Sequence, residues 1–376
     1  PGDALRPHDG VYSIQLTGEL WETGYVDEVK LVVMDHPDSV EVLLDERFVP
    51  PGDATLRIYQ VTDPRTPVAA TDGAGRDLLP LLRARDDRYV SQFRLGRFQG
   101  VTETHDLVLD LGAVDADEDV TLFLNGWIFP TDASINVALS QSDRLASLPP
   151  QVQVVGPDGR WHTVIENMSF PSGKAKTVVV DLAGKFLSRD RRVRIRTNMQ
   201  IYWDQVFFTT GDVRGPAPQA TLEPIAADVH YRGFSRMYRK GGRYGPFWFD
   251  YGEVTEAQPW LPLTGRFTRY GDVTELLQEP DDMYVVFGPG DEITVAFDAS
   301  AAPPLPAGWR RDFLLYSDSW LKDADLNTAT GQSVEPLPFH GMSRYPYGTD
   351  ESYPTSAEYQ RYLRRYNTRR MPPREH

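Results

Sequence analysis

The sequence contains no cysteine. That single absence excludes disulfides, zinc–thiolate sites, iron–sulfur clusters, thiol nucleophiles and covalently attached c-type haem. It suits a cytosolic protein and a large exported bacterial domain equally. No stretch approaches the roughly 18 uninterrupted apolar residues of a membrane-spanning helix. The opening residues, PGDALRPHDG, carry neither the basic start nor the apolar run of a signal peptide. Because the chain opens on Pro1 and not on Met, it is expected to be a processed or excised piece of something longer. Positive charge is also short: 39 Lys and Arg face 54 Asp and Glu, a net charge of −15 that argues against a nucleic-acid-binding surface. The C-terminus is the exception, where Arg361, Arg364, Arg365, Arg369, Arg370 and Arg374 read as a solvated or partner-docked tail. Catalytic signatures are missing as well. The histidines (8, 36, 105, 162, 230, 340 and 376) are scattered, and no HExxH, GxSxG or Walker A pattern occurs.

What is abundant points to strands. Thirty glycines and thirty prolines punctuate short runs of apolar–polar alternation, the pattern of an all-β protein. Strands are expected at Val11–Thr17, Asp27–Met34, Glu41–Leu44, Leu56–Val61, Asp106–Leu111, Val120–Leu124, Val152–Val155, Trp161–Ile165, Lys176–Asp181 and Arg192–Arg196. A Gly156-Pro-Asp-Gly159 turn sits between the seventh and eighth. Helical periodicity is confined to Leu78–Leu82, Val273–Leu277 and Ser356–Tyr366.

The chain also echoes itself. TLFLNGWIFPTDASINVA at 121–138 reads against RDFLLYSDSWLKDADLNTA at 311–329, and upstream Asp77–Tyr89 reads against Asp272–Tyr284, each ending in Asp-Asp-x-Tyr. A fainter echo pairs Tyr25-Val-Asp27 with Tyr202-Trp-Asp204. Internal repetition is an architectural signal. It predicts two related β-sandwich units of jelly-roll or Ig-like kind, produced by duplication, with an extended C-terminal wrap. The expected boundaries are 1–147 for the first unit, 148–334 for the second and 335–376 for a Tyr/Pro/Arg-rich tail. A Pro/Gly-rich connection is placed at 209–223. On this reading the first sandwich lacks upstream strands or borrows them.

Several positions could carry chemistry. Trp127 and Trp320 fall at echoing positions, each followed by an aspartate and an asparagine (Asp132 and Asn136 in the first case). Such a set could stack on a sugar ring while the polar groups take its hydroxyls; the competing reading makes both tryptophans core plugs. Trp248 and Trp260 belong to the densest aromatic stretch, with Tyr244, Phe247, Phe249 and Tyr251, and read either as a binding surface or as a packed hairpin. Asp323, Asp325 and Asn327 alternate along a loop as calcium ligands do. They lack the central glycine and distal glutamate of a strong calcium motif, and turn capping is the competing reading. The acidic loop 115–119 is a weaker candidate. Carboxylates for a glycosidase could be assembled only from distant positions, since neighbours on a strand face opposite ways. Asp86-Asp87 and Asp281-Asp282, each ahead of a tyrosine, suit a structural turn better. Asn167-Met-Ser169 matches the N-glycosylation pattern.

Several longer phrases are similar to a known group: GDALRPHDGVYSIQLTGELWETGYVDEVKLVVMDHP, GWIFPTDASINVA, KTVVVDLAGKF, RVRIRTNMQIYWD and DADLNTATGQSVEPLPFHGMSRYPY. They resemble a C-terminal region of large exported bacterial proteins of the CRTAC1-like group, where it follows FG-GAP (integrin-α-like) repeats and an ASPIC/UnbV segment. Neither of those motifs lies in this chain, so no propeller calcium ligand transfers to it. The resemblance implies an extracellular or envelope location and an adhesion or scaffolding role. In addition, 148–209 resembles part of a galactose-binding-like jelly roll. Together these readings predict a non-enzymatic module contacting other protein subunits or surface glycans, with Ca²⁺ as the one cofactor to consider and homo-oligomers expected. The alternatives are a structural subunit joined by strand edges and tail, and a carbohydrate-active enzyme.

Overall fold

Strands dominate the structure, a computed structural model that describes residues 5–50, 55–115, 118–173, 175–240, 247–324 and 331–372. In chain order they begin with β1 (Val11–Thr17), β2 (Thr23–Pro37), β3 (Glu41–Leu44), β4 (Ile58–Val61), β5 (Ala69–Asp72), β6 (Val101–Asp110) and β7 (Thr121–Ile128). A short helix, α1 (Ala133–Ser140), precedes β8 (Gln151–Val155), β9 (Trp161–Ile165), β10 (Lys176–Asp181), β11 (Arg192–Met199) and β12 (Ile201–Thr209). Then come β13 (Ala220–Leu222), β14 (Pro224–Tyr231), β15 (Phe234–Arg239), β16 (Phe247–Thr255), β17 (Gly265–Phe267) and β18 (Gly271–Asp272). The chain closes with β19 (Val285–Phe287), β20 (Asp291–Asp298), β21 (Trp309–Lys322), the helix α2 (Ala357–Arg365) and β22 (Arg369–Met371).

These elements form two compact units, and the division is not the contiguous one expected from the sequence. The first unit joins 1–37 to 217–237 and 249–376, whereas the second comprises 38–216 with 238–248. The expected boundary at 147 falls inside the second unit. The first echo is also divided: β1 and β2 lie in the first unit, while β6 and β7 lie in the second. The reason is pairing. β1 runs antiparallel to β20 from Val11↔Asp298 to Thr17↔Glu292, and β2 pairs with β21 from Thr23↔Lys322 to Pro37↔Trp309. Seven and fourteen residues of ladder tie the start of the chain to its last third.

In the first unit, a sheet of order β1-β20-β14-β18 faces one built on β2, which carries β13 and β19 on its path and β21 as a further partner. Strand alternation fills the space between them. Ile293, Val295 and Phe297 of β20 meet Val29, Leu31 and Val33 of β2, and Tyr362 of α2 and Tyr366 just beyond its end join the same cluster. β2 is buried on both faces, which explains why its run Leu31-Val-Val-Met34 is apolar without alternation.

The second unit repeats the two-layer principle. A sheet of order β5-β6-β11-β8-β9 packs Leu107, Leu109, Val193 and Ile195 against Leu122, Leu124, Val178, Val180 and Val206 of the β10-β7-β12 sheet. Residues of opposite parity on the smaller sheet (Phe123, Val179, Phe207) turn the other way, onto Leu43 of β3 and Val61 of β4. Burying each such side chain is worth about 1.5–3 kcal/mol. The three stretches with helical periodicity appear as 3-10 turns at Leu79–Leu81 and Thr274–Leu277 and as α2. Helix α1 was not legible, because its eight residues hold no apolar stripe. It forms behind Asp132, whose carboxylate accepts a hydrogen bond from the Ile135 amide at 2.7 Å.

Candidate metal centre

Each unit contains a corner of the same construction. In the first, β2 reads Tyr25-Val-Asp27 and bulges at Asp27, between the pairs Val26↔Ser319 and Glu28↔Asp318. In the second, β12 reads Tyr202-Trp-Asp204 and bulges at Asp204, between Trp203↔Gly126 and Gln205↔Asn125. Opposite each tyrosine on the partner strand stands a tryptophan, Trp320 across from Tyr25 and Trp127 across from Tyr202. The Asp-Asp-x-Tyr segments close the corners. Asp282 and Asp87 both occupy the left-handed region, with φ of 69° and 62°, where aspartate is tolerated better than most residues. Their turns bring backbone amides to the bulged carboxylates: Asp282 N–H donates to Asp27 Oδ2 at 2.9 Å, and the Asp86 and Asp87 amides donate to Asp204 at 3.2 and 3.4 Å. The tyrosine that ends each segment donates its hydroxyl to the second aspartate, Tyr284 to Asp282 at 2.8 Å and Tyr89 to Asp87 at 3.0 Å. Each also meets its strand tyrosine edge-on, at 6.1 Å for Tyr25–Tyr284 and 6.4 Å for Tyr89–Tyr202.

The corners differ in what faces the second aspartate. In the second unit it is a fixed cation: Lys240 Nζ stands 3.6 Å from Asp87 Oδ2 and 3.7 Å above the Trp248 ring. In the first it is His340. The imidazole places Nδ1 2.7 Å from Asp282 Oδ1 and 3.8 Å from Asp27 Oδ2, while Nε2 lies 3.2 Å from Asp318 Oδ1 on β21. The His340 amide adds a further bond to Asp282 Oδ1 at 2.8 Å. One donor atom from each of Asp27, Asp282 and His340 fits within 4.8 Å of the others, the spacing of a metal-ligand set.

Asp27 is fully buried, and its Oδ1 has no hydrogen-bond partner among the described residues. A buried, unpaired carboxylate oxygen costs more than a bonded one by the desolvation of that lone-pair set, about 1–3 kcal/mol. Burial pushes the Asp27 carboxyl up to about 7; the Asp282 amide pulls against that, and the carboxylates of Asp281 and Asp282 add to it. For His340, burial pulls downward, but the hydrogen bonds to Asp282 and Asp318 outweigh it and the net is upward. Asp204 is raised chiefly by burial, against the two turn amides that pull it down.

The residues singled out from the sequence lie elsewhere or serve the corners. Trp127 is 5 % exposed and stacks on Tyr202 with centroids 5.0 Å apart, which leaves no face for a sugar ring. Trp320 is half-buried against the cluster around Tyr25 and Tyr284. Asp132 caps α1, and the exposed Asn136 accepts a hydrogen bond from Thr131 Oγ1. Trp248 lies under the Lys240 ammonium. Trp260 is half-buried, donates Nε1–H to the Glu19 carbonyl at 3.1 Å and meets Trp21 edge-on. Of the calcium candidates, Asp323 Oδ1 accepts from Trp21 Nε1 at 2.9 Å, whereas Asp325 and Asn327 lie outside the described residues, as do Tyr244 and part of the 115–119 loop.

His340 was missed because it stands alone in sequence, 58 residues from Asp282. The legible signal was the pair of echoes, Tyr-x-Asp and Asp-Asp-x-Tyr; what sequence does not state is that each meets the other's partner. No family model matches the chain, and no curated protein or solved structure is significantly similar to it.

Proposed function

We propose that the chain is a non-enzymatic β-sandwich module that assembles with a second copy of itself along the edge strand β21. The observation that carries this reading is the strand itself. β21 is fourteen residues long and pairs with β2 alone; among the described residues its other edge meets no strand. It exposes Trp309, Leu315, Tyr316 and Leu321, the last at 69 %. A long edge with apolar side chains is a template for strand addition, and soluble proteins ordinarily blunt such edges with lysine, proline or a covering loop. Antiparallel self-pairing about Leu314 sets Arg310 opposite Asp318, Arg311 opposite Ser317 and Asp312 opposite Tyr316. No like charges meet in that register, so the strand is compatible with its own copy.

The resemblance to a region of exported bacterial proteins supports an extracellular or envelope-surface setting for this assembly. The glycan-contact alternative is weakened by the burial of Trp127 and the packing of Trp320. The test is sedimentation velocity across a wide concentration range, on the wild-type chain and on the double variant Leu315→Lys, Tyr316→Lys. The expected result is a concentration-dependent dimer that the variant loses while its circular dichroism stays unchanged. A wild-type chain that remains monomeric at the highest concentration overturns the proposal.

A further inference from the structure

We infer that Asp27, Asp282 and His340 form a binding site for one first-row divalent metal ion of the Zn²⁺ kind. This inference is independent of the assembly reading.

Three separated segments deliver the donors: the bulge of β2, the turn ahead of β19, and the extended C-terminal stretch that carries His340. They converge within 4.8 Å. Convergence of acidic groups alone would not be a site. The second observation is the state of Asp27: 0 % exposed, its carboxyl turned toward His340 Nδ1 through Oδ2, and Oδ1 without a hydrogen-bond partner among the described residues. Buried polar atoms in folded proteins are almost always bonded, and each exception calls for an explanation. A cation between the two carboxylates and the imidazole supplies the missing partner.

The donor set selects among cations. Two carboxylates and one imidazole nitrogen are fewer and softer ligands than the six to eight oxygens Ca²⁺ takes. Imidazole with carboxylate is the chemistry of zinc and its first-row neighbours, with a remaining position left to water. The outer contacts are those that orient a metal-bound histidine. Asp318 holds Nε2 at 3.2 Å, so Nδ1 is the nitrogen left facing the carboxylates, and Tyr284 holds Asp282. The second unit provides an internal comparison: at its equivalent aspartate the chain places the Lys240 ammonium, so this corner accommodates a cation there by covalent means. In the first unit the same corner presents a neutral-capable imidazole instead.

The experiment is isothermal titration of Zn²⁺ into the full chain after chelator treatment, with the thermal midpoint followed in parallel. The expected result is one site per chain, a raised midpoint, and loss of both on His340→Ala, a partly exposed position whose truncation spares the core. Asp318→Asn is expected to weaken Zn²⁺ by roughly 10–100-fold through the orientation of the ring. Asp27→Asn is a further variant, but His340→Ala keeps the test decisive if that one does not fold. Absence of Zn²⁺ binding by the wild type overturns the inference, and so does binding that His340→Ala leaves intact. Ca²⁺ binding as tight as Zn²⁺ and indifferent to His340→Ala would overturn it equally, because the imidazole would then have no part.

Discussion

The corner around Asp27 and the corner around Asp204 share a backbone device and differ in how its charge is met. Both bulge a strand at a buried aspartate, both bring an Asp-Asp-x-Tyr turn onto it with the second aspartate at positive φ, and both set a tryptophan across from the strand tyrosine. The turn geometry is therefore independent of the neutralising group. Around Asp204 two amides are bound and Lys240 stands at the neighbouring carboxylate. Around Asp27 one amide is bound, one oxygen is left over, and the neighbouring carboxylate is bonded to an imidazole. The first arrangement is complete as a structural joint. The second retains a buried oxygen without a donor among the described residues, which is why the two corners teach different things: one shows what the motif does for folding, the other what it is free to do besides.

The largest effect that would test this contrast is on stability. Asp204→Ala leaves the Asp86 and Asp87 amides without their acceptor and is expected to cost about 1–3 kcal/mol in a denaturant titration. Asp27→Ala strands one amide and removes the orphaned oxygen with it, so its cost is expected to be clearly smaller. Equal losses would break the distinction between a satisfied and an unsatisfied corner.

A more selective variant exchanges the neutralising group. His340→Lys gives the first corner an ammonium like that of Lys240. The melting midpoint is expected to stay within a few degrees of wild type, while any Zn²⁺-induced rise disappears. A rise that persisted would show that the imidazole is not what sets the two corners apart. Smaller again is Lys240→Met, which keeps the stem over Trp248 and removes the charge. Because that ion pair is partly exposed, the expected loss is about 0.2–1 kcal/mol, reduced further at high salt. A loss several-fold larger would make Lys240 a keystone of its corner.

The strands were legible because the physics that forms them is local. Val11–Thr17 alternates, and it is β1 to the residue; Val152–Val155, Gly156-Pro-Asp-Gly159 and Trp161–Ile165 read as a hairpin and form one. The recurrence of Asp-Asp-x-Tyr as a structural turn was legible for a similar reason, since an aspartate that tolerates positive φ beside a tyrosine is a short-range pattern. The pairing of Asp27 with the turn at Asp282, 255 residues away, was not. Nothing in either segment distinguishes the nearer Asp-Asp-x-Tyr from the farther one, and the choice is made by the β1–β20 and β2–β21 ladders. Domain boundaries failed for the same cause. A reader of the sequence sees two blocks in succession, whereas the hydrogen bonds divide each block between the units. For Trp127 the core-plug reading holds, but the choice was not local: its burial depends on Tyr202 lying across from it, which is a fact of register.

One titrating group in the second unit extends the comparison to pH without involving the candidate metal ligands. His105 packs on Phe93 with centroids 4.9 Å apart, beside a small cleft that Asp72 and Asp106 also line. Its Nδ1 lies 3.0 Å from Thr102 Oγ1 and 3.2 Å from the Glu103 carbonyl, and Asp106 is itself paired with Arg196. Burial lowers the imidazole, and the Glu103 carbonyl and Asp106 only partly restore it. A histidine whose folded pKa lies below its unfolded value binds fewer protons when folded, so its stability contribution is complete above about pH 6.5 and is lost as pH falls below that value. Between pH 7.5 and 5 the thermal midpoint of the wild-type chain is accordingly expected to fall more steeply than that of His105→Gln, which cannot take up the proton. The sign is what matters, because a histidine held chiefly by carboxylates would do the reverse and strengthen the fold on acidification. Parallel curves for the two proteins would mean that Asp106 and the Glu103 carbonyl offset the cost of burial in full, and that the second unit is no more closed to a proton than the first.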